Sequence, residues 1–177
     1  MPQMILLPDD DGTSSSDWIA SGTGISERWE ALVDINGDNS YVECDDNNEA
    51  MIIEFANPGV AEAIIDFNEE VTVRFLSSGR STDRRNAAGV DIAFQVPSGF
   101  SETVYYDPSP SSYESITGTA RTTQPDTSAW DYAALENLEM ICTKNGAREV
   151  YLTYLSIRID YTEAVAADNA TFFGANF

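Results

Sequence analysis

The sequence predicts an all-β protein, an antiparallel β-sandwich or jelly roll with one or two short helical turns. Three observations predict it. Short runs rich in β-branched and aromatic residues recur along the 177-residue chain, Gly- and Pro-containing turns separate them, and long helical periodicity is almost absent. A chain of this length fits one domain with its own core. We therefore expect a single sandwich domain over residues 1–161 and a C-terminal tail over residues 162–177.

Nine segments have the composition and boundaries of strands. In order they are 3–7, 40–44, 50–55, 70–76, 90–96, 102–106, 114–122, 138–143 and 148–161. The last is the clearest, because strict alternation predicts that every second residue from Tyr151 to Tyr161 lies on one face. Ser156, Arg158 and Asp160 are then predicted on the other face. The sequence Lys144-Asn145-Gly146 predicts a hairpin leading into this strand, since Asn-Gly readily adopts positive φ.

Helical turns are expected in three short stretches only, 25–32, 60–65 and 128–135. Glycine and proline punctuate the intervening connections, as in the turns that begin at Asn57, Pro97 and Asp107. Many strands, regular turns and isolated helical turns are typical of sandwiches and jelly rolls.

Charge limits the possible partners. Nine Lys and Arg against 30 Asp and Glu give a net charge of 9 − 30 = −21, which repels phosphate backbones and anionic lipid surfaces. We therefore expect no nucleic-acid partner and no membrane partner. The apolar run from Met4 to Leu7 follows no basic segment and stops at Pro8 and three aspartates, so neither a signal peptide nor a membrane span is expected.

Two cysteines, Cys44 and Cys142, lie near the ends of predicted strands. They could form one disulfide, but nothing marks an oxidising compartment. Two small buried thiols are the favoured interpretation.

The segment DINGDN places Asp34, Asn36 and Asp38 at alternate positions, as the first ligands of a calcium loop are placed. Glycine falls at the fourth position, Gly37, instead of the sixth, and the twelfth position is Asp45 instead of a glutamate. The pattern therefore favours a turn into the next strand, and the sequence predicts no metal site, although it leaves calcium binding by these three residues open. The acidic run 43–49 is likewise favoured as a turn between two strands.

The sequence contains few of the residues and motifs that enzymes use for catalysis. The chain has no histidine, so the commonest general base and any Ser-His-Asp or Cys-His arrangement are missing. No phosphate-binding or dinucleotide-binding glycine pattern is present. A carboxylate pair of the glycosidase type remains possible, but no local feature selects one pair among thirty acids. We expect no catalytic residues, no cofactor and no enzymatic activity.

Contact residues are predicted in two places. Arg80, Arg84 and Arg85 place a third of the positive charge in one Gly- and Ser-rich loop, where they could dock an acidic neighbour or simply form a solvated loop. The tail carries the large apolar side chains Phe172, Phe173 and Phe177. Such a tail docks either on its own domain or on a neighbour.

Aromatic residues suggest one further possibility. Trp18, Trp29 and Trp130, together with eight tyrosines, could form a platform on which sugar rings stack. Packing in the core or across strands is the favoured interpretation for most of them.

The order of these features resembles a jelly-roll type found among accessory virion proteins of tailed bacteriophages. The elements that carry the resemblance span most of residues 3–161. They are Leu7-Pro8-Asp9, Trp18 followed by Gly and Thr, the segment WEALVDINGDNSYVE, Pro58-Gly59, Val73-Arg74-Phe75 and the segment DTSAWDYAALENLEM.

The resemblance implies a structural role and brings no catalytic residues. It implies a capsid cement or decoration protein on the outer surface of the virion head, assembled in the host cytoplasm. Its partners would be the major capsid protein and further copies of itself, for example in a homotrimer. The alternative from a different class is a carbohydrate-binding jelly-roll module of a phage tail fibre or receptor-binding apparatus, recognised by a groove lined with exposed Trp or Tyr.

Overall fold

The computed structural model describes residues 1–12, 17–33, 40–81, 89–96, 99–100, 104–106, 114–146 and 148–165. Within these residues it confirms the predicted fold class, because twelve strands form two antiparallel sheets beside two short α-helices and one 3₁₀ turn. The strands are β1 (Gln3–Leu6), β2 (Pro8–Asp11), β3 (Ile19–Gly22), β4 (Ser40–Cys44), β5 (Ala50–Phe55), β6 (Thr72–Ser81), β7 (Gly89–Val96), β8 (Gly99–Phe100), β9 (Val104–Tyr106), β10 (Glu114–Thr117), β11 (Glu139–Asn145) and β12 (Val150–Asp160).

Sheet 1 is built around the long strand β12. Strand β6 pairs along almost the whole of one side of β12, while β4 and β1 divide the other side between them. Strands β10 and β3 pair with β6 and β4. Sheet 2 has the order β2-β5-β11-β7, and both β8 and β9 pair with β7. Every pairing is antiparallel, as in sandwiches built from Greek keys.

The core lies between the two inner faces. Phe75 of sheet 1 meets Phe94 of sheet 2 edge to face, with 5.9 Å between the ring centroids. Each fully buried large apolar side chain contributes about 1.5–3 kcal/mol to the free energy of folding. Fully buried members from the two sheets include Val42, Leu152, Ile157, Met51, Ile92 and Met140.

The prediction of two buried free thiols is confirmed. Cys44 on β4 and Cys142 on β11 are both buried and unbridged. Burial raises the pKa of Cys44 to about 11 and that of Cys142 to about 12. Both residues therefore behave as small apolar core residues at neutral pH.

The helical turns coincide with the three predicted stretches, except that the last one extends one residue beyond residue 135. They are α1 (Arg28–Ala31), a 3₁₀ turn (Glu62–Ile64) and α2 (Tyr132–Glu136). Helix α1 begins with a capping box in which Glu30 accepts hydrogen bonds from the backbone of Ser26 and Glu27. None of the helices in the described part of the chain combines the length and the apolar character that a membrane span requires.

Strict alternation is wrong at the start of β12. The register against β6 shifts between Leu152 and Tyr154, which is the signature of a β-bulge at Thr153. Val150 and Leu152 therefore face the core, and Tyr151 is on the outer face of sheet 1. From Leu155 onward the predicted alternation is confirmed.

The predicted hairpin at Lys144-Asn145-Gly146 is also wrong. Strand β11 pairs with β5 and β7 in sheet 2, whereas β12 belongs to sheet 1. The turn therefore joins the two sheets. Lys144 is fully buried instead of lying in an exposed turn, its Nζ donates to the carbonyl of Gly146 at 2.6 Å, and burial lowers its pKa.

Residues just beyond β12 remain attached to the domain. The backbone N–H of Asp66 donates to the carbonyl of Thr162 at 2.8 Å, and that of Ala164 donates to the carbonyl of Ile64 at 2.9 Å. These bonds fix the chain through residue 164, two residues past the predicted start of the tail.

Candidate ligand-binding face

The outer face of sheet 1 gathers three half-buried tyrosines. Tyr41 is on β4, and Tyr151 and Tyr154 are on β12. Glu43 of β4 is directly opposite Tyr151 on one side, and Arg80 of β6 is directly opposite it on the other. Directly opposite residues of antiparallel strands share one face of the sheet. We call Tyr41, Glu43, Arg80, Tyr151 and Tyr154 the tyrosine face.

Neighbouring side chains fix the ring of Tyr151. The rings of Tyr41 and Tyr151 meet edge to face, with 5.1 Å between centroids and 79° between planes. The guanidinium of Arg80 lies 4.3 Å from the centroid of the Tyr151 ring, within cation–π range. These contacts immobilise the groups before any ligand arrives, and a preorganised surface loses less entropy on binding.

Two carboxyl groups border the Tyr151 hydroxyl. The Tyr151 O–H donates to Glu149 Oε2, and Glu149 is also hydrogen-bonded to Glu43. Burial raises the pKa of Glu43, and the carboxylate of Glu149 raises it further. Burial and the hydrogen bond to Glu149 raise the pKa of Tyr151. The cluster therefore holds donors and acceptors close together around an aromatic ring.

A second polar cluster lies farther along the same two strands. Arg74 and Arg158 are directly opposite one another on β6 and β12, and we call them the arginine pair. Both bind one carboxylate, that of Asp160. Arg74 Nη2 lies 3.1 Å from Oδ2, and Nε and Nη2 of Arg158 lie 3.0 and 2.7 Å from Oδ1. The Arg74 and Arg158 side chains remain 29% and 35% exposed, against 11% for Asp160.

Two serines and a leucine lie between the two clusters. Ser78 is opposite Tyr154, and Ser156, between Tyr154 and Arg158 on the outer face, is opposite Leu76. Both serines are buried, and the buried Ser156 Oγ has no hydrogen-bond partner within the described residues. Leu76 is half-buried, so it forms the accessible part of the surface between the clusters.

Exposed apolar side chains border this face. Ile19 is opposite Glu43 and is 55% exposed, and Ile5 is opposite Arg158 and is 46% exposed. Val33 forms an isolated bridge with Tyr154 and is 36% exposed. Apolar groups beside tyrosine and arginine are typical of contact surfaces.

The outer face of sheet 2 has a different character. Glu54 of β5 and Glu139 of β11 are directly opposite one another, and burial together with the charge of Glu54 raises the pKa of Glu139. They line a cavity of about 260 Å³ with Asp9, Asp10 and Glu136. In the part of the chain that the structure describes, no group of three or more His, Cys, Asp or Glu could hold a metal ion.

Most of the predicted contact residues lie outside the described residues. This holds for Arg84 and Arg85, for Phe172, Phe173 and Phe177, and for the DINGDN turn with Asp34, Asn36 and Asp38. Their predicted roles stay predictions. Arg80 is described, and it lies on the sheet against Tyr151.

Two of the three tryptophans do not supply a platform on this face, and the third, Trp29, is half-buried on α1. Trp18 and Trp130 are buried, 1% and 3% exposed, and their Nε1 atoms donate to the carbonyls of Glu49 and Arg121 at 3.0 Å. The favoured interpretation as core residues is confirmed for these two. Sequence reasoning did not single out Tyr41 or Tyr151, although Tyr41 alternates with the buried residues Val42 and Cys44, which is a usable signal for an outward position.

No protein-family model matches the chain, and no curated protein matches it. Solved structures with a similar backbone include the C-terminal CBM6 of LamC from Zobellia galactanivorans, with a TM-score of 0.48 at 11% identity over 89% of this chain and 98% of that one. A CBM36-1 domain of a multidomain xylanase from the hindgut metagenome of Trinervitermes trinervoides has a TM-score of 0.45 at 17% identity, covering 88% of this chain and 96% of that chain.

A carbohydrate-binding module from Cellvibrio mixtus lichenase 5A, solved in complex with cellotriose, has a TM-score of 0.45 at 11% identity over 90% of this chain and 97% of that one. Likeness at this level assigns neither a family nor an activity to the chain.

Proposed function

We propose that this protein is a non-enzymatic carbohydrate-recognition module that binds a glycan on the outer face of sheet 1. The observation that carries the proposal is the tyrosine face, where three tyrosines lie on adjacent strands and two of them, Tyr41 and Tyr151, are held in place by their neighbours. A sugar ring has an apolar face of C–H groups and a rim of hydroxyls. Tyrosine rings stack against the apolar face of the sugar, while carboxyl and guanidinium groups hydrogen-bond to its hydroxyls.

The layout across the strands suits an extended ligand. Ile19, Glu43, Tyr151 and Arg80 form one row across β3, β4, β12 and β6. At the usual strand spacing this row is about 14 Å long. It offers apolar, acidic, aromatic and basic groups in succession, and ligand sites combine apolar surface with a few fixed polar groups in this way.

The carboxyl groups beside Tyr151 have hydrogen-bonding roles in the proposal. Glu149 accepts the Tyr151 O–H, and the proximity of Glu149 raises the pKa of Glu43. Both groups can exchange these interactions for hydrogen bonds to sugar hydroxyls.

A second candidate function is the virion structural role, with the major capsid protein and further copies of the chain as partners on the outer surface of the head. The exposed Ile5 and Ile19 on a face with tyrosines and arginines favour it, since protein interfaces are enriched in such residues. Replacing Arg84 and Arg85 by Glu should then release the protein from purified particles in moderate salt. Unchanged occupancy of the particles would remove Arg84 and Arg85 from this candidate.

The proposed function is tested by glycan binding and one matched pair of variants. The wild-type protein is screened on an array of neutral and acidic oligosaccharides, and hits are measured by titration calorimetry. Loss of a central aromatic contact costs about 2 kcal/mol or more, so Tyr151→Ala should weaken binding about thirtyfold.

The matched control is Ile141→Ala, an outer-face residue of sheet 2, which should leave the affinity within about twofold of wild type. Circular dichroism and thermal unfolding check that both variants fold. No binding to any array member, or equal losses in both variants, would contradict the proposal.

A further inference from the structure

The arginine pair is a local excess of positive charge on a strongly acidic protein. Arg74 and Arg158 are directly opposite one another and share the single carboxylate of Asp160. Two guanidinium groups against one carboxylate leave a net charge of +1 at this point, on a chain whose net charge is −21. In the described strands of sheet 2, the outer face carries no arginine or lysine.

The pair has hydrogen-bonding capacity that Asp160 does not use. Each guanidinium carries five N–H donors. Arg158 directs Nε and Nη2 to Asp160, and Arg74 directs only Nη2. Arg74 Nε is buried and has no hydrogen-bond partner within the described residues. Like charges directly opposite on a sheet repel one another, so a second carboxylate at the exposed parts of the two guanidinium groups would relieve that repulsion.

The location links the pair to the tyrosine face. Arg74 and Arg80 are six residues apart on β6, about 20 Å along the strand, with Ser78 and the half-buried Leu76 on the outer face between them. A short oligosaccharide stacked on the tyrosines would reach the arginine pair by passing over Leu76. The planar guanidinium groups match a carboxylate in shape as well as in charge.

Resting on the proposed function, we propose that the arginine pair is a carboxylate-binding subsite and that the bound glycan carries an isolated uronic acid. The net charge of −21 repels a chain with a carboxylate on every unit. A mainly neutral glycan with one carboxylate gains the interaction with the arginine pair and experiences little of that repulsion. The ligand class is therefore a sparsely acidic glycan, as distinct from a neutral glycan or a dense polyanion.

The test uses matched oligosaccharides and calorimetry at physiological salt. The probes are xylan and glucan oligosaccharides, each in a neutral form and in a form carrying one glucuronate. Charge-assisted hydrogen bonds predict that the acidic form binds wild-type protein about tenfold more tightly. Arg74→Gln and Arg158→Gln should abolish that preference and leave the affinity for the neutral form within about twofold.

Two further variants keep the test decisive even if loss of an arginine disturbs folding. Asp160→Asn retains both arginines and removes the competing carboxylate, so it should tighten binding of the acidic form. Arg148→Gln removes one positive charge at an exposed position two residues before β12, whose first residue is about 26 Å along the strand from Arg158, and should preserve the preference.

The outcomes separate the two proposals. Equal wild-type affinity for the neutral and acidic forms, or a preference that survives both Arg→Gln variants, would overturn the carboxylate subsite while leaving glycan binding intact. Stronger binding of polygalacturonate than of the singly acidic probes would overturn the sparse-charge ligand. Failure of wild-type protein to bind either form would overturn the proposed function itself.

Discussion

The two outer faces of the sandwich cover the same core but expose opposite chemistry. Sheet 1 exposes tyrosines, arginines and serines around β12, whereas sheet 2 exposes Glu54 and Glu139 directly opposite one another beside further acids. Like charges in such a cross-strand pair destabilise the sheet. The net charge is therefore distributed unevenly between the two faces. Acidic repulsion keeps the face of sheet 2 solvated, and the proposed ligand contacts lie on the face of sheet 1.

The largest expected effect comes from Leu152→Ala at the bulge, because the Leu152 side chain is fully buried in the core. Its loss leaves a cavity and should lower the free energy of unfolding by about 2–5 kcal/mol. Urea unfolding measures this loss in the free energy of unfolding.

Thr153→Ala is the matched control, because Thr153 is the next residue along β12 and its substitution should cost only about 1 kcal/mol. If Leu152→Ala were no more damaging than this substitution, Leu152 would not face the core beside the bulge.

A smaller effect is expected from Arg80→Met, which keeps an unbranched apolar side chain over Tyr151 and removes the guanidinium. Loss of the cation–π contact should lower the free energy of unfolding by about 0.5–1 kcal/mol. Arg148→Met, at an exposed position, should change it by less than about 0.5 kcal/mol. Equal effects of the two substitutions would mean that Arg80 does not hold the tyrosine ring.

The smallest effect is expected at the acidic pair of sheet 2 and has the opposite sign. The pKa of Glu139 is raised in the folded protein by burial and by Glu54, so its ionised form opposes folding above that pKa, and the penalty disappears as the pH falls below its ordinary range. Glu139→Gln should therefore raise the free energy of unfolding at pH 7 by about 0.5 kcal/mol.

The gain should vanish near pH 3, and molar salt should reduce it. Thermal unfolding across pH and salt measures both dependences. A loss of stability at pH 7 would contradict the repulsion assigned to this face.

Sequence reasoning was sufficient where local pattern determines structure. The strands at Ser40–Cys44 and Ala50–Phe55 coincide with their predictions. Strand β2 was not predicted, because Pro8 and its aspartates have low strand propensity and only their position beside β5 makes them a strand. Sequence reasoning missed Gly99–Phe100 and Ile19–Gly22 too, which are short strands without clear alternation.

The candidate site was less predictable because it depends on non-local pairing. No local signal marks the bulge at Thr153, and that bulge decides where Tyr151 lies. The Lys144-Asn145-Gly146 turn has the same local chemistry in a hairpin as in a connection between sheets, so only packing of the core distinguishes them. The position of Arg74 directly opposite Arg158 likewise follows from the register of β6 against β12.

NMR mapping of a bound glycan tests directly whether the ligand binds the tyrosine face. Wild-type protein labelled with ¹⁵N and ¹³C is titrated with a singly acidic oligosaccharide, and the shifts of ring and backbone resonances are followed on both sheets. Perturbations should concentrate at Tyr41, Tyr151 and Tyr154 and extend to Arg158, while Glu54, Glu139 and Ile141 should stay unchanged. Perturbations centred on the outer face of sheet 2, with the tyrosines unaffected, would contradict the account.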